Sequence, residues 1–122
     1  MKALVWNYQG VERPFTVPQL RAVVRINSPI LVSLLETKKK KSYLNKVKQW
    51  IKFDNVFVVD PVGTVGGLAI IWKQELMVKK ILFISLTIEL LIEDNEARFD
   101  WWCIYTYASS DARIRREQWK VL

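Results

Sequence analysis

The stretch Pro29–Lys38, PILVSLLETK, decides the fold. Its apolar run, Ile30–Leu35, is almost continuous, too short for a typical helix, and lacks the alternation of a strand with one wet face. Covered on both faces, it reads as a central strand of a parallel sheet. Working outward, Ser28-Pro29 stops whatever helix precedes it, because a residue before proline is pushed out of the α region. That helix announces itself at Thr16, an N-cap with Gln19 three residues on and Pro18 in the first turn. Leu20, Val23, Val24 and Asn27 follow at helical spacing. Before it come turn residues, Gln9–Pro14, and a short apolar strand, Lys2–Asn7. Strand, helix and strand in this order predict a right-handed βαβ unit.

Downstream, Ser42 is positioned to cap a second helix. Tyr43, Leu44, Val47, Trp50 and Ile51 share one of its faces. Val56–Val59 reads as a strand ended by Asp60-Pro61, and Gly63, Gly66 and Gly67 as a turn. Leu68–Trp72, Val78–Ile84, Thr87–Ile92 and Phe99–Tyr107 read as four further strands in an antiparallel meander. Arg113–Trp119 has the pattern of a helix start. With no linker, repeat or low-complexity segment, residues 1–122 read as one folding unit of α/β or α+β class.

Apolar residues make up 51% of the 122-residue chain, which excludes a disordered tail. Trp is frequent, at six, and several of these are expected in the core. The net charge of +7 is unevenly spread. Residues 1–52 hold eleven Lys/Arg against Glu12 and Glu36, whereas residues 53–110 hold four against eight Asp/Glu. A basic first half suits a polyanion such as nucleic acid, or is a solvated lysine face. The chain has no His and a single cysteine, Cys103. An intramolecular disulfide, a Cys-based metal cluster, a zinc–histidine site and imidazole acid/base chemistry are therefore closed to this chain acting alone. Cys103, within an apolar strand, reads as an inert thiol. No signal peptide is visible, and the most apolar run, Ile81–Ile92, is too short to span a membrane and contains Glu89. The expected compartment is intracellular, nuclear or cytoplasmic, with no membrane partner.

Asn7 and Glu36 are the informative pair. Each ends a strand of the βαβ unit, and parallel neighbours send both tips to the same sheet edge, where open α/β sheets place ligands. A carboxylate and an amide oxygen there are hard donors suited to Mg²⁺. Equally, Asn7 starts a turn and Glu36 caps a helix or faces solvent. The Lys38–Lys41 run stands just before a helix N-terminus, where cations oppose the macrodipole. Contact with DNA phosphates is one reason to keep Lys38, Lys39, Lys40 and Lys41 there; drift in an unselected sequence is another. Gly66-Gly67 is not followed by GK[ST], so it is not a P-loop.

WNYQG (Trp6–Gly10) after one strand and ETK (Glu36–Lys38) after another resemble the first two motifs of the endonuclease/exonuclease/phosphatase superfamily. GGLAIIWK (Gly66–Lys73) is similar to the glycine-led strand of plant LINE-type (non-LTR) retrotransposon endonucleases, and WWCIYTYASSDARIRREQW (Trp101–Trp119) to their next motif. The four motifs run in family order along essentially the whole chain.

The resemblance implies a fold and a chemistry. The fold is the first half of a two-sheet α/β sandwich, a mixed sheet with helices on one face and about one of the two sheets present. The chemistry is Mg²⁺-dependent hydrolysis of DNA phosphodiesters. Glu36 would be the main metal ligand, Asn7 would help organise the site, and Tyr107 would sit beside the scissile phosphate. Tyr107 fits better than Tyr105 because Ala108-Ser109 follows it. Lys38 would steer the phosphate backbone. Gln9 stands where some members carry Asp. In the family an Asp and a His of the second half activate the attacking water, and the GDFN-type and SDH-type segments of that half have no counterpart here. Three readings follow: a truncated endonuclease module, inactive alone; a nucleic-acid-binding module that does not cut; and a remnant without selected function. Each leaves room for a C-terminal half as partner, or for self-association through an uncovered sheet face.

Overall fold

A computed structural model of the chain describes residues 2–7, 16–35, 37–60, 66–84, 87–94 and 99–106. The chain divides into two compact units, Met1–Glu75 and Leu76–Leu122.

The first unit is a four-stranded mixed sheet with two helices. Its elements are β1 (Ala3–Asn7), α1 (Thr16–Asn27), β2 (Leu31–Leu35), α2 (Lys41–Trp50), β3 (Asn55–Val59) and β4 (Leu68–Trp72). β1 and β2 are parallel neighbours, as the βαβ reading requires. β2 is central, and Leu31, Val32, Ser33 and Leu34 are all buried. The expectation for β4 is overturned. Leu68–Trp72 does not open a meander but inserts between β2 and β3, antiparallel to both, giving the order β1-β2-β4-β3. The physical reason lies in its composition. LAIIW is apolar at every position and Leu68–Ile71 are buried, so it belongs in the sheet interior, while β3, half-buried throughout, takes the edge.

One face of this sheet carries the core. Val32 and Leu34 of β2 align with Ala69 and Ile71 of β4, and these four pack with Leu20 of α1 and with Leu44, Val47, Ile51 and Phe53 in and after α2. Leu4, Trp6, Val56 and Val58 extend the same face outward. Both helices therefore lie on one face, as expected. On the opposite face Leu31, Ser33, Leu68 and Ile70 are also buried.

The helix ends differ in detail from the sequence reading. α1 stops where expected, with Ser28 at φ 48° and its amide donating to the Val24 carbonyl at 2.9 Å. The N-cap of α2 is Lys40 rather than Ser42, and no side chain caps it. α2 ends in a Schellman motif: the Lys52 amide donates to the Gln49 carbonyl and the Phe53 amide to the Lys48 carbonyl. The left-handed position, usually glycine, is Lys52 at φ 62°. The turn after β4 is held by Asp54, whose carboxylate accepts from the Gln74 amide at 2.8 Å.

The second unit is a three-stranded antiparallel sheet, β5 (Met77–Ile84), β6 (Thr87–Asp94) and β7 (Phe99–Thr106), in that order. Two sheets are present, not the single one expected, because the meander builds a sheet of its own once β4 has joined the first. Ile88, Leu90 and Ile92 of β6 alternate on a buried face. Val78 and Ile81 of β5 are three apart, so regular pleating would send them to opposite faces. A bulge between Val78 and Lys80 restores the match, pairing Val78 with Ile92 and Ile81 with Leu90. The extra residue, Lys79, reaches across β6 to the Asp100 carboxylate at 2.9 Å.

Of the tryptophans whose side chains are described, Trp6 and Trp72 are half-buried, while Trp50 and Trp102 are exposed. The expectation that Trp fills the core fails for this set. Leu, Ile and Val suffice to fill it, and an indole is rarely buried whole. Cys103 is a free, half-buried thiol in β7. No helix among the described residues is long and apolar enough to cross a membrane.

Candidate active site

Parallel pairing puts the C-terminal ends of β1 and β2 at one edge, with Asn7 opposite Leu35. Glu36 follows Leu35 directly. It lies outside the described residues, as does Tyr107 after β7; for Asn7 the strand position is described but not its side chain. The antiparallel strands contribute to the same edge. Leu68, the start of β4, pairs with Leu35, and Val59, the end of β3, pairs with Leu68. Asp60 follows Val59 and is exposed.

Beyond Glu36 the chain is held tightly. The Thr37 amide donates to the Gly67 carbonyl at 3.1 Å and the Lys38 amide to the Gly66 carbonyl at 2.9 Å, which carries the β2–β4 ladder past the strand end. Thr37 is buried, and its hydroxyl accepts a long contact from the Lys39 amide at 3.4 Å. Gly66 and Gly67 take φ of +84° and +90°, which glycine adopts without steric cost. At Gly67 the space is closed as well: a Cβ would stand 2.5 Å from Thr37 Oγ1 and 3.0 Å from the Lys38 amide nitrogen. This glycine therefore fixes the path of the backbone immediately after Glu36. The sequence reads Gly66-Gly67 only as a turn; the small residue required opposite Thr37 gives Gly67 a second role.

The four lysines stand in different settings. Lys38 is exposed at φ 55°. Lys39 is half-buried, its ammonium 5.1 Å from the centroid of the Tyr43 ring. Lys40 and Lys41, both exposed, form the N-cap and first residue of α2. With no acidic residue in the first turn, this N-terminus is strongly electropositive. The only shifted titration among the described residues lies elsewhere. Lys79 is raised above the usual lysine value, first by its hydrogen bond to Asp100, then by the charge of Asp100 and more weakly by that of Glu93.

No protein-family model and no curated protein matches the chain. Solved structures do. The crystal structure of truncated Caenorhabditis elegans TDP2 superposes with a TM-score of 0.61 at 16% identity, covering 95% of this chain and 49% of that one. The Xenopus laevis APE2 catalytic domain gives 0.60 at 13% identity, covering 98% and 49%. Both are endonuclease/exonuclease/phosphatase superfamily members. At such identities the likeness shows the fold alone: a mixed sheet and a second antiparallel sheet with few helices. The chain spans about half the length of each structure it matches.

Proposed function

We propose that the chain is the first half of a Mg²⁺-dependent phosphodiester-hydrolysing module of the endonuclease/exonuclease/phosphatase type, acting on DNA and descended from a LINE-type retrotransposon endonuclease. The observation that carries this reading is the β1–β2 register, which ends two parallel strands together with Asn7 opposite the residue before Glu36. The shared fold supports it, as does the order of the WNYQG, ETK, GGLAIIWK and WWCIYTY segments. A DNA substrate implies nuclear or cytoplasmic residence.

The donor chemistry fits Mg²⁺ and is sparse. Glu36 and Asn7 would supply hard oxygens. Among the described residues no group of three or more Asp, Glu, His or Cys stands ready to hold a metal. Bound there, the ion would neutralise charge on a phosphoryl oxygen and a leaving oxyanion. The chain's own groups would orient the substrate. Exposed Lys38 would meet the backbone phosphate, and Tyr107 would lie beside the scissile group. The Thr37–Gly67 ladder would hold Glu36 at the edge.

With no imidazole in the chain, the water lacks the family's general base, a contribution of roughly 10²–10⁴-fold. The chain alone is therefore expected not to cleave. The test is nicking of supercoiled plasmid with Mg²⁺, with Glu36→Ala as the contamination control. Activity that appears only when a family second half is added supports the reading. Robust nicking by the chain alone, abolished in Glu36→Ala, would overturn the account of the missing base.

A second reading, nucleic-acid binding without cleavage, has its own support. α1 and α2 carry Arg21, Arg25, Lys41, Lys46 and Lys48 and not one carboxylate. Salt-dependent binding that survives Glu36→Ala, with no cleavage even in the presence of the second half, would favour it.

A further inference from the structure

The helical face of the first unit holds a cleft that the strand-edge site does not use. Arg21, Val24 and Arg25 form one stripe of α1 and line one side, and Trp50, Ile51 and Lys52 at the end of α2 line the other. Because β1 and β2 are parallel and each helix returns antiparallel to the strand before it, the end of α2 lies toward the sheet edge opposite to Asn7 and Leu35. The cleft measures about 160 Å³. That is below the roughly 300–1,000 Å³ of sites that engulf a whole small ligand. It admits one flat group and leaves the rest of the ligand outside.

Three features of this cleft point to one ligand chemistry. Arg21, Arg25 and Lys52 are exposed, and none pairs with a carboxylate among the described residues. A cation near a helix C-terminus is ordinary, but the helix dipole does not account for Arg21 in mid-helix or for two helices without any acid. Trp50 is 41% exposed, and the Tyr43 ring meets it edge-on, centroids 5.9 Å apart and planes at 83°. An indole buttressed in this way is a rigid platform. Finally, Lys52 holds the left-handed position of the Schellman turn, where glycine is the relaxed choice.

We infer that this cleft is a second nucleic-acid site, specific for single strands, in which a base stacks on Trp50 while adjacent phosphates engage Arg21, Arg25 and Lys52. Cations alone would hold any polyanion; the exposed indole adds a partner that only an unpaired base reaches. The inference does not depend on the hydrolase reading, since no residue of the strand-edge site takes part.

The experiment is fluorescence anisotropy with the full chain and three labelled probes: a twelve-nucleotide oligo-dT, an abasic oligomer of equal charge, and a duplex of equal length. Oligo-dT is expected to bind more tightly than the abasic oligomer. Trp50→Ala should weaken oligo-dT by about 5- to 150-fold, the range of one lost stacking contact, and leave the abasic oligomer unchanged. Arg21→Gln with Arg25→Gln should weaken both and lower the single-strand salt slope by about 1.4. Equal binding of the oligo-dT and abasic probes by the parent chain, or oligo-dT binding indifferent to Trp50→Ala, overturns the inference, as does duplex binding as tight as oligo-dT. Should Trp50→Ala fail to fold, photocrosslinking of a 5-iodouracil oligomer to the parent chain decides. A crosslink at Trp50 supports the site, and crosslinks confined to other residues overturn it.

Discussion

Gly67 faces Thr37 across the end of the β2–β4 ladder with no room for a Cβ between them. Two separate penalties therefore meet at Gly67, a left-handed φ of +90° and a clash with both the Thr37 hydroxyl and the Lys38 backbone. Gly66 carries only the first, since a Cβ there meets open space. Gly66→Ala is expected to destabilise by about 1–2 kcal/mol, and Gly67→Ala by roughly twice that or more. Urea melts of the two variants check the difference, and equal losses would show that Thr37 moves aside freely.

The side chain of Ser33 is fully buried in the central strand, and its hydroxyl has no hydrogen-bond partner among the described residues. Removing an unsatisfied polar group recovers its desolvation cost, roughly 1–3 kcal/mol in mutational data. The cavity left by one oxygen is small. Ser33→Ala is thus expected to raise stability by about 1 kcal/mol, read as a higher unfolding midpoint. A lower midpoint would mean that the hydroxyl is satisfied in solution.

Lys79 and Asp100 bridge the outer strands of the second sheet in the open, with 45% and 38% of their side chains accessible. The folded value of Lys79 lies above its ordinary 10.5. Its contribution is therefore complete below pH 10.5 and lost as pH rises through the higher folded value. Asp100→Asn is expected to flatten the alkaline limb of a stability–pH profile and to leave neutral pH nearly untouched, because exposed pairs are weak. A profile identical to that of the parent through pH 12 would remove the pair from the account.

Trp102 and Ile104, two apart on one face of β7, are 48% and 58% exposed, with Leu91 of β6 beside Trp102. Contiguous apolar surface on a sheet favours association. The chain is expected to self-associate at high concentration, and Trp102→Thr with Ile104→Thr to restore a monomer in sedimentation velocity. Self-association unchanged by the pair of substitutions would point to the edge of β5 instead.

Much of the fold was legible because its signals are local. The short apolar run at Ile30–Leu35, the proline that ends α1 and the stripe through Leu44 and Val47 each act within a few residues. The placement of β4 was not legible, since the all-apolar LAIIW asks for a sheet interior without naming the strands that flank it. The bulge at Lys79 was legible in principle, in the odd spacing of Val78 and Ile81. The convergence of Asn7 with the end of β2 followed from the parallel reading. The role of Thr37 and Gly67 did not, because it rests on a contact between residues thirty apart. The cleft at Trp50 was hidden by a composition argument that assigned Trp to the core.

The order β1-β2-β4-β3 also governs when this sheet can exist at all. As the chain is synthesised, β3 emerges before the one strand it pairs with, and β2 waits with a bare edge until Leu68–Trp72 arrive. The β2–β4 pairing must close a long loop spanning α2 and β3 before any contact rewards it, which slows folding, whereas β3 and β4 are joined by a short connection. A ribosome stalled, or a protease cutting, between Asp60 and Leu68 would leave β3 partnerless and the β4-facing edge of β2 unpaired. Such a nascent fragment would be a substrate for chaperones rather than a smaller version of the domain.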